Sequence, residues 1–259
     1  MPDTLLMYDS AAATHVGKVR LCNEDAYLVQ PNSGVWAVAD GMGGAEAGDV
    51  ASATVIAALR SIEPPNSAAD LLAACEDRVA RANEYLQEIA RERGAAVIGT
   101  TIAVLLTYGS HYACVWSGDS RIYRVRDGRI VQLSRDHTAV QELVDNGTLT
   151  PEEARNWPER HVITRAIGVQ DEPELELEYG VLRPGDVFVL CSDGLTAHVS
   201  DGEILESVKA RRSQRACDDL IALTLRRGAL DNVTVLVVRY RPNGSGLALS
   251  AGPSIRHWE

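Results

Sequence analysis

Apolar positions along the chain fall into two rhythms. Leu72, Cys75, Val79, Ala82, Leu86 and Ile89 recur at alternating steps of three and four, which predicts one face of a long amphipathic helix. Ahead of it stands Ser67-Ala-Ala-Asp70, read as a capping box in which hydroxyl and carboxylate satisfy the first free N–H groups. Arg91 and Arg93 suit the negative end of the helix dipole, and Gly94 can stop it. Thr150-Pro-Glu-Glu153 predicts a short helix with Pro at its first position. Ser200-Asp-Gly-Glu203 caps another, carrying Ile204, Leu205 and Val208, and a further helix is expected from Ser213 to Arg227 with Gly228 as its stop. An Ala-rich run predicts a helix from Asp49 to about Leu59.

The second rhythm is short and β-rich. Val35–Ala39, Ile102–Leu106, Tyr112–Trp116, Val187–Cys191 and Val233–Val238 lie between turn signals and predict strands. Ile122–Arg126 and Arg129–Leu133 flank Asp127-Gly128, whose residues accept the positive φ of a type I′ hairpin. Strands joined by tight turns favour antiparallel pairing over a βαβ winding, with helices arriving in groups between strand groups. The expected class is α+β: a single-domain α-β-β-α sandwich of two packed antiparallel sheets flanked by helices. That domain is expected over 1–240. Residues 241–259 turn rich in Gly, Ser and Pro and read as a flexible tail. His257 and Trp258 within the tail read as a loose terminus or as an interaction tag.

Composition narrows the classes. The 259 residues carry 25 Lys+Arg against 36 Asp+Glu, a net charge of −11, which argues against a nucleic-acid binder that must neutralise phosphates. Five scattered cysteines, none in a C-x-x-C pair, fit neither a disulfide framework nor a zinc ribbon. The start, MPDTLLMYDS, lacks a basic region followed by an apolar core, and no apolar run approaches bilayer-spanning length. A reduced, cytoplasmic protein is expected, without membrane or nucleic-acid partners.

The placing of the acids is more informative than their number. Trp36-Ala-Val-Ala precedes Asp40-Gly41, and Phe188-Val-Leu-Cys-Ser precedes Asp193-Gly194. Asp119 lies between two apolar stretches, Asp231 starts a strand, and Asn23-Glu24-Asp25 precedes the strand-like Ala26–Val29. A lone Asp-Gly is ordinarily a turn, as read at Asp127-Gly128, and Asp201-Gly202 reads as the first turn of a helix. Asp40 and Asp193 differ because the apolar runs before them put the carboxylate at the lip of a core. Unpaired buried carboxylates cost several kcal/mol each, so a cluster calls for cations. Oxygen donors without His or Cys favour hard Mg²⁺ or Mn²⁺ over zinc.

Gly41-Met-Gly-Gly-Ala-Glu-Ala-Gly48 follows Asp40 and leads into a helix, a context suited to phosphate. It departs from the dinucleotide fingerprint, with Glu46 at the third glycine position. It departs from the P-loop too, because Asp49-Val50 replaces Lys-Ser/Thr after Gly48. The glycines are better read as letting backbone approach a metal closely.

Taken in order, eight segments resemble the bacterial branch of the PPM (type 2C) family of metal-dependent Ser/Thr protein phosphatases. They are Gly17-Lys-Val-Arg-Leu-Cys-Asn-Glu-Asp25, Val38-Ala-Asp-Gly-Met-Gly-Gly44, Gly99-Thr-Thr101, Ser117-Gly-Asp-Ser-Arg-Ile-Tyr123, Ser134-Arg-Asp-His-Thr138, Ile163-Thr-Arg-Ala-Ile-Gly168, Cys191-Ser-Asp-Gly-Leu195 and Asp231-Asn-Val-Thr234. The resemblance implies a two-metal centre in which Asp40 bridges two Mn²⁺ or Mg²⁺ ions and the Gly41 carbonyl ligates one. Asp193 and Asp231 complete the other ion's protein ligands. Glu24 and Asp25 orient water beside the ions, and Arg20 grips the substrate phosphate as a bidentate fork. Taken alone, Arg20 reads as an exposed strand-end arginine.

Two ions about 3.5–4 Å apart suit phosphomonoester hydrolysis without a Ser, Cys or His nucleophile, and the cysteines show no C-x5-R loop. The eukaryotic branch has a histidine, proposed as general acid, where Met42 stands here. His137 and His161, near a presumed substrate flap over 138–165, are candidates for that role or are structural. Some bacterial relatives hold a third ion between the positions of Asp119 and Asp193; the family's eukaryotic pattern has a further Asp where Ala197 stands here, which implies a weak site with one protein ligand fewer.

The reading is a phosphatase of phosphoserine and phosphothreonine in proteins, a monomer opposing a bacterial Ser/Thr kinase, resembling those that control secretion systems. The alternatives are a catalytically silent, metal-binding regulatory module of the same fold, and a metal-dependent nuclease, which the charge and motifs disfavour.

Overall fold

A computed structural model describes residues 7–43, 47–94, 97–154, 157–159, 161–209 and 211–241. Apart from Arg241, the expected tail lies outside the described residues, as do residues 44–46 of the glycine-rich loop. Each predicted strand forms, and all pairings between strands are antiparallel.

One sheet contains β1 (Tyr8–His15), β7 (Arg121–Arg126), β8 (Arg129–Gln132), β10 (Val187–Cys191) and β11 (Val233–Tyr240), in the order β1-β11-β10-β7-β8. The other is built from β2 (Asp25–Gln30), β3 (Val35–Gly43), β5 (Ile102–Tyr108), β6 (His111–Ser117) and β9 (Glu176–Val181), in the order β2-β3-β5-β6-β9, with β4 (Ile98–Thr100) added on β3. Asp127-Gly128 turns the β7–β8 hairpin with φ of 51° and 72°, as a type I′ turn requires.

The strands alternate between two apolar surfaces. Trp36, Val38, Leu105, Trp116, Ile122, Phe188, Leu190 and Leu236 point between the sheets. The opposite faces of the second sheet meet α1 (Gly48–Arg60) and α2 (Ala68–Arg93), through Val35, Ala37, Val104, Leu59, Leu71 and Leu86. The first sheet is covered by α5 (Asp193–Thr196), α6 (Asp201–Lys209) and α7 (Ser213–Arg226), through Val189, Val235, Ile204 and Leu220. The chain is therefore an α-β-β-α sandwich with two antiparallel sheets.

Helix ends follow the sequence signals with one difference. Ser67 accepts from the Asp70 N–H at 3.0 Å, and Gly94 ends α2 at φ 60°. The reciprocal half of a capping box appears instead at Thr150–Glu153, ahead of α4 (Pro151–Ala154), and at Ser200–Glu203. Asp70 is one methylene shorter than those glutamates and contributes its N–H.

Candidate metal centre

Five acids far apart in sequence gather where the ends of the two sheets meet. Asp40 lies in β3 directly across from Asp25 in β2. Asp193 opens α5 immediately after β10, Asp231 stands just before β11, and Asp119 sits on the link from β6 to β7.

Backbone crowding fixes these ends. Gly41 donates to the Glu24 carbonyl at 3.1 Å, and a Cβ there would run into the Gly48 carbonyl. A Cβ on Gly194 would strike the Asn232 carbonyl. These Asp-Gly pairs therefore differ from the open hairpin at Gly128, where a Cβ would meet nothing.

Polar side chains that carried no assigned role in the sequence hold the frame. Ser192 donates to Asp25 Oδ2 at 2.7 Å while accepting from the Thr234 N–H. Asn232 accepts from the Glu24 N–H at 2.8 Å and donates to the carbonyls of Val16 and Cys22. Thr101 and Thr100 both reach the Asp40 carbonyl, and Thr101 Oγ1 meets Ser120 Oγ at 2.7 Å. All sit inside the quoted motifs, and that membership was the only signal.

Asn83 gave no such signal. It is fully buried in α2 and accepts from the Gly168 N–H at 2.6 Å while donating to the carbonyls of Gln170 and Asp171. The neighbouring Ile167 pairs with Thr100, so the fastening leads back toward Asp40.

The acids are placed at electrostatic cost. Burial is the main cause that raises the Asp40 carboxyl well above the ordinary range, and Asp25, Asp193, Asp119 and Asp231 each push it further. Burial and then Asp193 and Asp231 carry Asp25 up to about 7, against the hydrogen bond from Ser192. Burial and Asp193 carry Asp119 up to about 8. Asp25 Oδ1 is buried without a hydrogen-bond partner.

An orphaned carboxylate oxygen among mutually repelling acids has the donor chemistry of a hard-cation site. Among the described residues no three acidic, histidine or cysteine side chains close on one point. Arg20 donates to Asp231 Oδ2 at 2.8 Å. The Arg20 guanidinium also lies in the field of Glu24 and Asp40.

The two histidines fall in different settings. His161 Nδ1 stands 3.5 Å from Asp193 Oδ2, in a cleft of about 1050 Å³ that Asp119, Asp193, Arg121 and Asp136 also line. His137 is buried under Trp116, accepts from the Gly118 N–H at 3.1 Å through Nδ1 and lies 3.1 Å from Glu176 Oε1 through Nε2. Burial lowers its pKa. With both nitrogens engaged and no share in lining that cleft, His137 fits the structural reading of the two that the sequence left open. Thr138 pairs with Ile163, and α3 (Ala139–Asp145) and α4 lie between them in the chain.

The protein phosphatase 2C family profile matches residues 14–227. The chain belongs to the protein phosphatase 2C family. Serine/threonine protein phosphatase PstP of Mycobacterium tuberculosis is 41% identical over 239 residues, which are 92% of this chain and 46% of that protein. The chain thus spans about half of that relative's length. Among solved members of the family, PppA, a key regulatory component of T6SS in Pseudomonas aeruginosa, is 42% identical with a TM-score of 0.84, over 90% of this chain and 97% of that one. The catalytic domain of a serine/threonine phosphatase PstP in complex with two manganese ions is 39% identical with a TM-score of 0.83, over 91% and 99%. Among the described residues no helix is long and apolar enough to cross a membrane.

Proposed function

We propose that the chain is a Mn²⁺- or Mg²⁺-dependent phosphatase of phosphoserine and phosphothreonine in proteins. The observation that carries this reading is the convergence of Asp25, Asp40, Asp119, Asp193 and Asp231, from five separate segments, into one carboxylate cluster, in which burial and the acidic neighbours raise Asp25, Asp40 and Asp119. Family membership supports the reaction, and the manganese-bound relative supports the cofactor. When bound, two divalent ions activate water and offset charge on the attacking and leaving oxygens.

Within that reading Asp40 and the Gly41 carbonyl, with Asp193 and Asp231, hold the ions. Glu24 and Asp25 orient water. Arg20 exchanges Asp231 for a phosphate oxygen pair, an exchange eased by the exposure of both side chains. Asp119 with Asp193 is a place for a third, weakly held ion, Ala197 supplying no carboxylate. Met42 cannot protonate a leaving oxygen, and we assign that role to His161, whose Nδ1 lies 3.5 Å from Asp193 Oδ2. The substrates are phosphoproteins of a bacterial Ser/Thr kinase acting in the cytoplasm, and the enzyme is a monomer whose folded domain spans residues 1–240.

Hydrolysis of p-nitrophenyl phosphate and a phosphothreonine peptide with and without Mn²⁺ tests the proposal. Manganese-dependent turnover of both supports it. No turnover with any divalent ion favours the silent regulatory module.

A further inference from the structure

Three large apolar side chains next to Arg20 or Asp231 in sequence are exposed. Val19 is 60% exposed, Leu230 is 64% exposed and Leu21 is wholly exposed, more than any other large apolar side chain among the described residues. Single surface leucines need no explanation. These three flank, in sequence, the two residues whose side chains meet at 2.8 Å.

The backbone beneath them is held firmly. The Lys18 N–H donates to the Ala229 carbonyl at 2.9 Å. Gly17, at φ 83°, lies so close to the carbonyls of Ala229 and Asp231 that a Cβ would not fit. Ala229 is buried at φ 41°, an unfavourable conformation for a residue with a side chain. Strain of this kind persists where the surrounding structure imposes it, often beside a functional site. Here Ala229 is buried while the next residue, Leu230, is exposed.

We propose that Val19, Leu21 and Leu230 form an apolar collar that receives an apolar side chain next to the phosphorylated residue of a substrate polypeptide. The inference rests on the reading of Arg20 as the phosphate fork. The Arg20–Asp231 and Lys18–Ala229 contacts bring the two segments side by side, so a phosphate held by Arg20 puts the residues before and after the phosphoresidue within reach of Val19, Leu21 and Leu230. An aliphatic neighbour would remove apolar surface of both partners from water, which a phosphate-only ligand cannot do. The collar thus selects phosphopeptides with Leu, Ile or Met beside the phosphothreonine over those with Ala or Gly, and is indifferent to p-nitrophenyl phosphate.

The probe is a peptide carrying a non-hydrolysable difluoromethylene phosphonate in place of the phosphothreonine ester. It is made with Leu or with Ala on both sides, and binding to the full chain with Mn²⁺ is followed by fluorescence anisotropy. The wild type should bind the Leu peptide about fivefold more tightly, equivalent to about 1 kcal/mol. The double variant Leu21→Ser, Leu230→Ser should bind both alike, with turnover of p-nitrophenyl phosphate within twofold of wild type. Equal affinities in the wild type, or a preference that survives the double variant, overturns the proposal. So does a concentration-dependent dimer in sedimentation that Leu21→Ser abolishes, which would make the collar a contact between copies of the chain. Retained Leu preference without any phosphoester turnover would support the collar and reject the hydrolase reading, so the two fail separately.

Discussion

Replacing Asp25 by Asn should make the chain, freed of divalent cations by EDTA, more stable at alkaline pH and should flatten its pH dependence. Asp25 is 8% exposed and faces Asp40 across the β2–β3 pair. Burial and neighbouring acids lift its carboxyl from 3.8 to about 7. A carboxyl that holds its proton more tightly folded than unfolded leaves stability unaffected below about pH 4. It costs stability as pH rises, with the full penalty above about pH 7. At about 1.4 kcal/mol per pH unit the penalty is roughly 4 kcal/mol. For a chain of this size that corresponds to roughly 8–16 °C in melting temperature. Asn keeps an oxygen to accept from Ser192 but carries no charge. Calorimetric melting in EDTA at pH 5 and pH 8.5 checks this: the wild type should lose much more of its melting temperature over that interval than Asp25→Asn. Parallel curves would refute the electrostatic reasoning and return Asp25 to an ordinary strand residue.

Arg20→Ala should raise KM for phosphoesters about tenfold and change the melting temperature little, because an exposed ion pair contributes less than about 1 kcal/mol; unchanged kinetics would remove Arg20 from the site. Asn83→Ala deletes a side chain that makes three hydrogen bonds, so it should cost about 3 kcal/mol and lower the melting temperature by roughly 6–12 °C. A wild-type melt would contradict that role. Asp119→Ala should keep two tightly held ions by calorimetry while losing most turnover and demanding more Mn²⁺; identity with wild type in both leaves Asp119 a turn residue.

Much of the sandwich was legible because its strands and helices obey simple periods. Val187–Cys191 and Val233–Tyr240 are apolar on both faces because each has a sheet partner inside and helices outside. The Asp-Gly pairs at the ends of such runs marked where chemistry would sit, and the open Asp127-Gly128 hairpin shows what distinguishes them. Less legible was the frame. Asn83 lies at an interior position of an amphipathic helix, where a polar residue signals nothing until the segment around Gly168 is seen to need its amide. His137 stood next to the 138–165 segment in sequence, yet Trp116, Gly118 and Glu176 enclose it from two other segments. Arg20 reaches Asp231 across 211 positions, a pairing no local pattern encodes.

The central claim is that these strand ends together hold divalent cations, and calorimetric titration of Mn²⁺ into wild type and Asp40→Asn tests it most directly. Asp40 sits in the field of all four other acids. The account predicts two ions on the wild type and loss of at least one from Asp40→Asn, with circular dichroism unchanged and phosphoester turnover abolished. Two ions bound with unaltered affinity by Asp40→Asn, or none bound by the wild type, would contradict it.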